Sequence, residues 1–215
     1  RHALEIHLDK VAERLSIDPA ELRRKICVDS DSPTANYLQV GSCMLRECLD
    51  KVVEGSGWKS KFRKLPYGKG VGLACASYLS GAGLPIYWNN MPHSGVQIKC
   101  DRGGGVTVFC GSTEIGQGSD SVLAYVVAEV LGLDPFDLRI VTADTDLTPV
   151  DLVSYSSRVT LMTGNAAIQA AERIKEPIAR AVAEKLGVPS ARLTFADRRV
   201  FDVEDPSKGM TWAEA

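Results

Sequence analysis

Residues 111–118 read Gly-Ser-Thr-Glu-Ile-Gly-Gln-Gly and lie between a strand-like run, 106–110, and an apolar helical stretch that begins near Ser119. A strand, a glycine-rich loop and a helix start bring backbone N–H groups close to a ligand, and the helix dipole favours an anion such as phosphate. Gln117 adds an amide that both donates and accepts. Residues 151–158, Asp-Leu-Val-Ser-Tyr-Ser-Ser-Arg, precede a second, longer helix and offer three serine hydroxyls, a phenol and a guanidinium. Two such helix starts can hold one extended ligand that carries a ring system, a pyrophosphate and a nucleotide. The same residues also fit a structural role, with Ser119 as a helix cap, Asp120 in the first turn and Arg158 on the surface beside a serine-rich cap.

Other chemistries lack their residues. No Gly-Lys-Ser or Gly-Lys-Thr of a P-loop is present, nor the Gly-x-Gly-x-x-Gly dinucleotide fingerprint, and the looser run Gly68, Gly70, Gly72 falls within a strand-like segment. The six cysteines, Cys27, Cys43, Cys48, Cys75, Cys100 and Cys110, form no Cys-x-x-Cys pair and have no His at metal-ligand spacing. That argues against zinc or iron–sulfur ligation and fits reduced thiols of a cytoplasmic protein. Cys75 and Cys110 sit in apolar runs and read as small packed hydrophobes. Glu114, an acid inside the glycine loop, reads as a holder of backbone N–H groups and not as a catalyst.

The elements that position these loops follow from periodicity. Residues 3–15 place Leu4, Leu8, Val11, Ala12 and Leu15 on one helical stripe, and residues 44–53 make a second amphipathic helix ended by Gly55 and Gly57. Strands are expected over 70–78, 95–100, 106–110 and 139–142, with a glycine turn at 102–105 joining two of them as a hairpin. Helices are expected over 122–131 and 163–186, the second kinked or split at Pro177. A further hairpin is expected at 193–196 and 199–203. Gly132 and Gly187 fit left-handed helix caps. The loop 81–94, with Pro85, Tyr87, Trp88, Pro92 and His93, carries aromatics suited to a contact with a ligand or to core packing. The predicted fold class is α+β, helices packed on a mixed sheet, with a helical lead-in at 1–64 and a binding domain at 65–215.

Of the 215 residues 45% are hydrophobic and 24% charged, the balance of a globular protein. The formal charge is −2, and no run of five like charges occurs, so nucleic-acid or membrane-surface binding has no electrostatic support. The apolar stretch 121–133 is interrupted by Glu129 and falls short of the roughly 20 apolar residues a bilayer span needs. The opening Arg-His-Ala-Leu-Glu has neither an initiator Met nor a long apolar run, which reads as a piece of a longer protein.

Three stretches together bring a family into view. Residues 111–118 resemble the Gly-Gly-x-Glu-x-Gly-Gln-Gly signature of the xanthine oxidase family of molybdenum hydroxylases. Residues 154–158 followed by Thr-Gly-Asn-Ala-Ala at 163–167 resemble its second cofactor loop and helix, and residues 9–23 resemble the helix before that domain. Residues 112–120 and 142–151 are most similar to the 4-hydroxybenzoyl-CoA reductase branch. The resemblance implies part of the molybdopterin-binding domain of a large subunit, with molybdopterin cytosine dinucleotide as cofactor. It also implies iron–sulfur clusters and FAD on partner subunits, an iron–sulfur subunit and a flavin subunit, and reductive dehydroxylation of an aromatic CoA thioester. Another aldehyde or N-heterocycle hydroxylase of the family, or a non-catalytic nucleotide-binding or assembly module, are the other readings. Carried over, Ile115, Gly116 and Gln117 meet the pterin and its phosphate, Ser156 and Ser157 the pterin or metal end, and Gly118, Ser119 and Arg158 the phosphates. The family's catalytic glutamate and its Phe-Gly-Gly loop have no counterpart among these residues, so neither a catalytic residue nor a metal ligand is expected here. Val153 stands where many relatives have glycine, a β-branched residue at a place that is strained if φ is positive.

Overall fold

A computed structural model describes residues 1–78 and 93–215, and the chain divides into two compact units, Arg1–Tyr78 and Leu79–Ala215. Of the loop expected to make contacts, Pro85, Tyr87, Trp88 and Pro92 lie outside the described residues.

The first unit is helical: α1 (His2–Arg14), α2 (Pro19–Ile26), α3 (Leu45–Gly55) and the short α4 (Trp58–Lys61). Ala12, Ala20, Leu22, Leu49 and Trp58 are its buried apolar residues. Asp18 caps α2 by accepting from Ala20 N at 2.7 Å, Pro19 occupies the first turn, and the same carboxylate accepts from Trp58 Nε1 at 2.9 Å. Arg23, only 2% exposed, is held by Glu5 at 2.9 Å and Asp9 at 2.8 Å and donates to the carbonyl of Pro19. A buried charge so enclosed is satisfied rather than orphaned. The strand expected over 70–78 does not form among the described residues. Gly70 and Gly72 gain nothing from a pleat, and the N–H of Cys75 donates to the Glu5 carboxylate at 2.9 Å instead of to a neighbouring strand.

The second unit is α+β. Strands β1 (Val96–Cys100) and β2 (Val106–Cys110) form the expected hairpin, and β3 (Leu138–Thr142) pairs parallel to β2, so the sheet is mixed in the order β1-β2-β3. Alternation puts Val106, Val108 and Cys110 into the core, where they meet Leu123, Val127 and Leu131 of α5 (Ser119–Leu131) and Ala167, Ala171 and Val182 of α6 (Gly164–Leu186). α6 runs as one 23-residue helix with Pro177 inside it and is not split. Its packing outweighs the one backbone bond that proline cannot donate.

A second, antiparallel sheet, β4 (Leu193–Ala196), β5 (Arg199–Asp202) and β6 (Gly209–Thr211), closes the core with Val200 and Met210. Trp212 follows β6 and donates from Nε1 to the carbonyl of Gly104 at 2.9 Å, tying this sheet to the β1–β2 turn. Gly132 and Gly187 take left-handed caps at φ 67° and 66°. No helix among the described residues is long and apolar enough to cross a membrane.

Candidate functional site

The first loop leaves β2 at Cys110 and enters α5 at Ser119. Its cap differs from the sequence expectation: the N-cap is Gly118 at φ 78°, and Ser119 is the first helical residue. Gly118 has no side chain, so capping passes to Glu114. One oxygen of that carboxylate accepts from Gly116 N at 2.7 Å and Gly118 N at 3.1 Å. The other accepts from Asp120 N at 3.2 Å and Ser119 Oγ at 3.4 Å. The N–H groups of Gly118 and Asp120, favouring the anion, hold the Glu114 carboxyl below the usual carboxylate range.

Gln117 braces the same loop. Its Oε1 accepts from Ile115 N at 2.7 Å, and its Nε2 donates to Thr113 O at 3.0 Å and Ser119 Oγ at 2.9 Å. Burial pushes the Asp120 carboxyl up, an effect that the hydrogen bond from Thr142 Oγ1 at 3.3 Å opposes. The loop therefore spends its own acid and amide on its own backbone. What it presents outward is Ile115, 71% exposed, and the backbone of Gly116 and Gly118, where a Cβ would meet nothing within 4 Å. Both glycines stand at positive φ, 97° and 78°.

The second loop, 151–158, is stitched to the first. Ser154 Oγ accepts from Thr113 N at 3.0 Å and donates to Thr113 O at 2.6 Å. At Gly111 a Cβ would lie 2.5 Å from the carbonyl oxygen of Pro149 and 2.7 Å from Cβ of Asp151, so only glycine lets the two loops approach this closely. Sequence reading paired the loops but missed both the Thr113–Ser154 junction and the steric reason for Gly111.

Within this loop Val153 stands at φ 60°, Ser156 at 52° and Ser157 at 54°. Left-handed backbone costs an L-residue about 1–2 kcal/mol, and at a β-branched valine it is a marked departure. The strain expected for Val153 is present. Ser156 is buried, and Ser157 is exposed. Arg158, expected at the surface in the structural reading, is fully buried: Nη1 donates to Asp151 at 2.7 Å and to Val153 O at 2.8 Å, and Nη2 donates to Ser94 Oγ at 2.8 Å and to His93 O. A π turn at Val159–Thr163 then leads into α6. Such turns recur at functional sites.

Among the described residues of the two loops, the acids are engaged, Glu114 by backbone N–H groups and Asp151 by Arg158. Among the described residues, no group of three His, Cys, Asp or Glu is placed to hold a metal ion. What it can do is bind. A flat ligand can lie on the side-chain-free backbone at Gly116 and Gly118, whose N–H groups are taken by Glu114, next to the exposed apolar Ile115 side chain. Those are features a pterin cofactor fits.

Residues 51–215 match the model of the molybdopterin cofactor-binding domain. The chain belongs to that family. A relative in Escherichia coli K12, a putative xanthine dehydrogenase molybdenum-binding subunit, is 32% identical over 213 residues, which is 96% of this chain and 28% of the relative. The gamma subunit of the 6-hydroxypseudooxynicotine dehydrogenase complex of Paenarthrobacter nicotinovorans is 36% identical over 132 residues, covering 61% of this chain and 16% of its own length.

Among solved structures, quinoline 2-oxidoreductase from Pseudomonas putida 86 superposes with a TM-score of 0.63 at 20% identity, over 96% of this chain and 28% of that one. Aldehyde oxidoreductase from Desulfovibrio desulfuricans superposes with a TM-score of 0.57 at 27% identity, over 80% and 19%. This molybdopterin-binding chain thus spans less than a third of the length of the curated relatives it matches.

Proposed function

We propose that this chain is the molybdopterin-holding part of a molybdenum-dependent oxidoreductase of the xanthine oxidase family, and that the loops 111–118 and 151–158 grip the cofactor together. The observation that carries the reading is the double hydrogen bond between Ser154 and Thr113, which fixes the second loop to the first beside the open backbone of Gly116 and Gly118.

Ile115, Gly116, Gln117 and Gly118 are the residues proposed to meet the pterin and its adjacent phosphate. Ser156 and Ser157 are proposed to meet its pterin or metal end. Ser119 is buried and bonded to Glu114 and Gln117, so we assign it to holding the loop's shape. When bound, the cofactor supplies two-electron redox chemistry at molybdenum; the chain's own residues bind it, orient it and keep the two loops at a fixed separation.

For the whole enzyme we propose the cytosine dinucleotide form of the cofactor, with electrons exchanged through iron–sulfur and flavin subunits in the cytoplasm, leaving the site in an oxidation and entering it in a reductive dehydroxylation. Relatives named for xanthine, hypoxanthine and aldehyde support oxidation of an aldehyde or N-heterocycle. The likeness of residues 112–120 and 142–151 to 4-hydroxybenzoyl-CoA reductases supports a second reading, reductive dehydroxylation of an aromatic thioester of coenzyme A.

Elemental analysis and acid release of nucleotide from the full-length complex test the first claim. Molybdenum with a cytosine nucleotide is expected; their joint absence from an intact, folded complex would make both loops structural. Turnover of the loaded complex on an aldehyde, an N-heterocycle and 4-hydroxybenzoyl-CoA then separates the two substrate readings.

A further inference from the structure

We infer that Arg158 is a positioning residue: its buried guanidinium sets the backbone that carries Ser156 and Ser157, and it does not itself bind the cofactor's phosphates. The inference rests on the proposal that those serines meet the cofactor.

Four observations converge on it. First, both members of the Arg158–Asp151 ion pair, 2.7 Å apart, have fully buried side chains. A solvent-removed guanidinium that already faces a carboxylate has little of its field left for a distant phosphate. Second, the fork reaches back over the whole loop. It binds Asp151 at the loop's start and the carbonyl of Val153 within it, while the Arg158 backbone N–H donates to Tyr155 O at 3.2 Å.

Third, the same fork joins the loop to the segment entering β1 through His93 O and Ser94 Oγ. Ser94 Oγ in turn lies 3.0 Å from Oγ1 of Thr163, which is fully buried at the far end of the π turn. Both ends of the stretch 151–163 are therefore fastened to His93 and Ser94. Fourth, three residues between those ends, Val153, Ser156 and Ser157, hold left-handed backbone that L-residues disfavour. A strained conformation persists only where its surroundings over-determine it, and the planar five-donor fork of arginine can do this where the point charge of lysine cannot.

The test uses the full-length subunit, produced with its maturation partners and assembled in its complex. It compares molybdenum and nucleotide content, and the rate of nucleotide loss, in the wild type, R158Q, R158K, S156A/S157A and the triple variant R158Q/S156A/S157A. If Arg158 acts through the serines, R158Q speeds nucleotide loss by about ten- to hundredfold, the range typical of residues that orient a ligand-binding group. R158K, keeping the charge without the fork, lies between R158Q and the wild type. The triple variant then loses nucleotide no faster than S156A/S157A, because the two changes remove one function.

A triple variant whose acceleration equals the product of the two separate effects overturns the inference, as does R158Q with wild-type retention. Should R158Q fail to assemble, R158K and D151N carry the same comparison in the S156A/S157A background, and additive effects there overturn it equally. A wild-type complex without molybdenum or nucleotide overturns the underlying function, an outcome distinct from a loaded wild type with an indifferent R158Q.

Discussion

Glu114 shows how one side chain can make a glycine loop hold its shape before any ligand arrives. The N–H groups of Gly116, Gly118 and Asp120 converge on its carboxylate, which substitutes for the missing side-chain cap at Gly118. Because donors stabilise the charged form, the carboxyl sits below its ordinary value, and the sign of the linkage follows. Its contribution is complete above the unfolded glutamate value, about 4.3, and is lost as pH falls through the lower folded value. Asp120 runs the other way. Burial raises its carboxyl, so it protonates earlier on acidification and its charged form does not stabilise the loop. Amide hydrogen exchange of the full-length subunit should therefore show protection at Gly116 and Gly118 that is flat near neutrality and collapses below about pH 4. Glu114→Gln should lower that protection at neutral pH and flatten its acid dependence; an unaltered profile in this variant would show that the loop is held by something else. The role of Glu114 was readable from the sequence, since an acid three residues into a glycine loop has few other uses. The burial of Arg158 was not, because an arginine after a serine-rich turn looks the same in sequence whether its partner is solvent, a phosphate or an aspartate seven residues earlier.

At the scale of elements, packing decided what periodicity left open. The amphipathic stripe of α1, the β1–β2 hairpin and the β4–β5 hairpin were legible because alternation and helical spacing bury one face each. The strand expected over 70–78 fails because apolar content alone does not supply a neighbour to pair with, and residues 9–23, likened to one helix, instead span the end of α1, a turn and the start of α2. β6 was missed for its brevity, three residues between polar turns. Gly132 illustrates a constraint that was half visible. Its left-handed cap was expected, but its second duty is steric: a Cβ there would lie 2.3 Å from the carbonyl carbon and oxygen of Phe195 and 2.4 Å from Ala196 N. Those are backbone atoms of β4 and cannot swing aside, and Gly132 O also accepts from Arg198 N at 2.8 Å. Gly132→Ala should combine a left-handed alanine with overpacking, together about 2–5 kcal/mol. Exchange of the β4 and β5 amides in the full-length subunit should then quicken accordingly, while protection within α1 and α2 stays at the wild-type level. Wild-type exchange throughout β4 and β5 would mean that the hairpin moves away from α5 at low cost.

For the molecule as a whole, the second unit divides into a core that draws on neither loop and the two loops proposed to hold the cofactor. Its core runs from β2 through α5 and α6 to Val200 and Met210, and is continuous without any group from the two loops. The loops themselves carry the exposed Gly116 and Gly118, the left-handed Val153, Ser156 and Ser157, and the outward Ile115 and Val153, and they contribute nothing to that core. A cofactor that binds the folded subunit and not the unfolded chain adds stability, by about 2.7 kcal/mol at a hundredfold excess over its dissociation constant. With the cofactor held as proposed, that gain belongs to residues 111–118 and 151–158, because the core of β2, α5, α6, Val200 and Met210 is continuous without them. Removing the cofactor from the full-length complex should accordingly accelerate exchange in those two loops and in the π turn at Val159–Thr163, leaving β4, β5 and the middle of α6 unchanged. Equal acceleration over the whole unit would mean that the core depends on the ligand, and no change in either loop would place the cofactor elsewhere in the parent protein. The joint response of both loops is the informative part. Ser154 and Thr113 share two hydrogen bonds, so a ligand that orders one loop must also order the other.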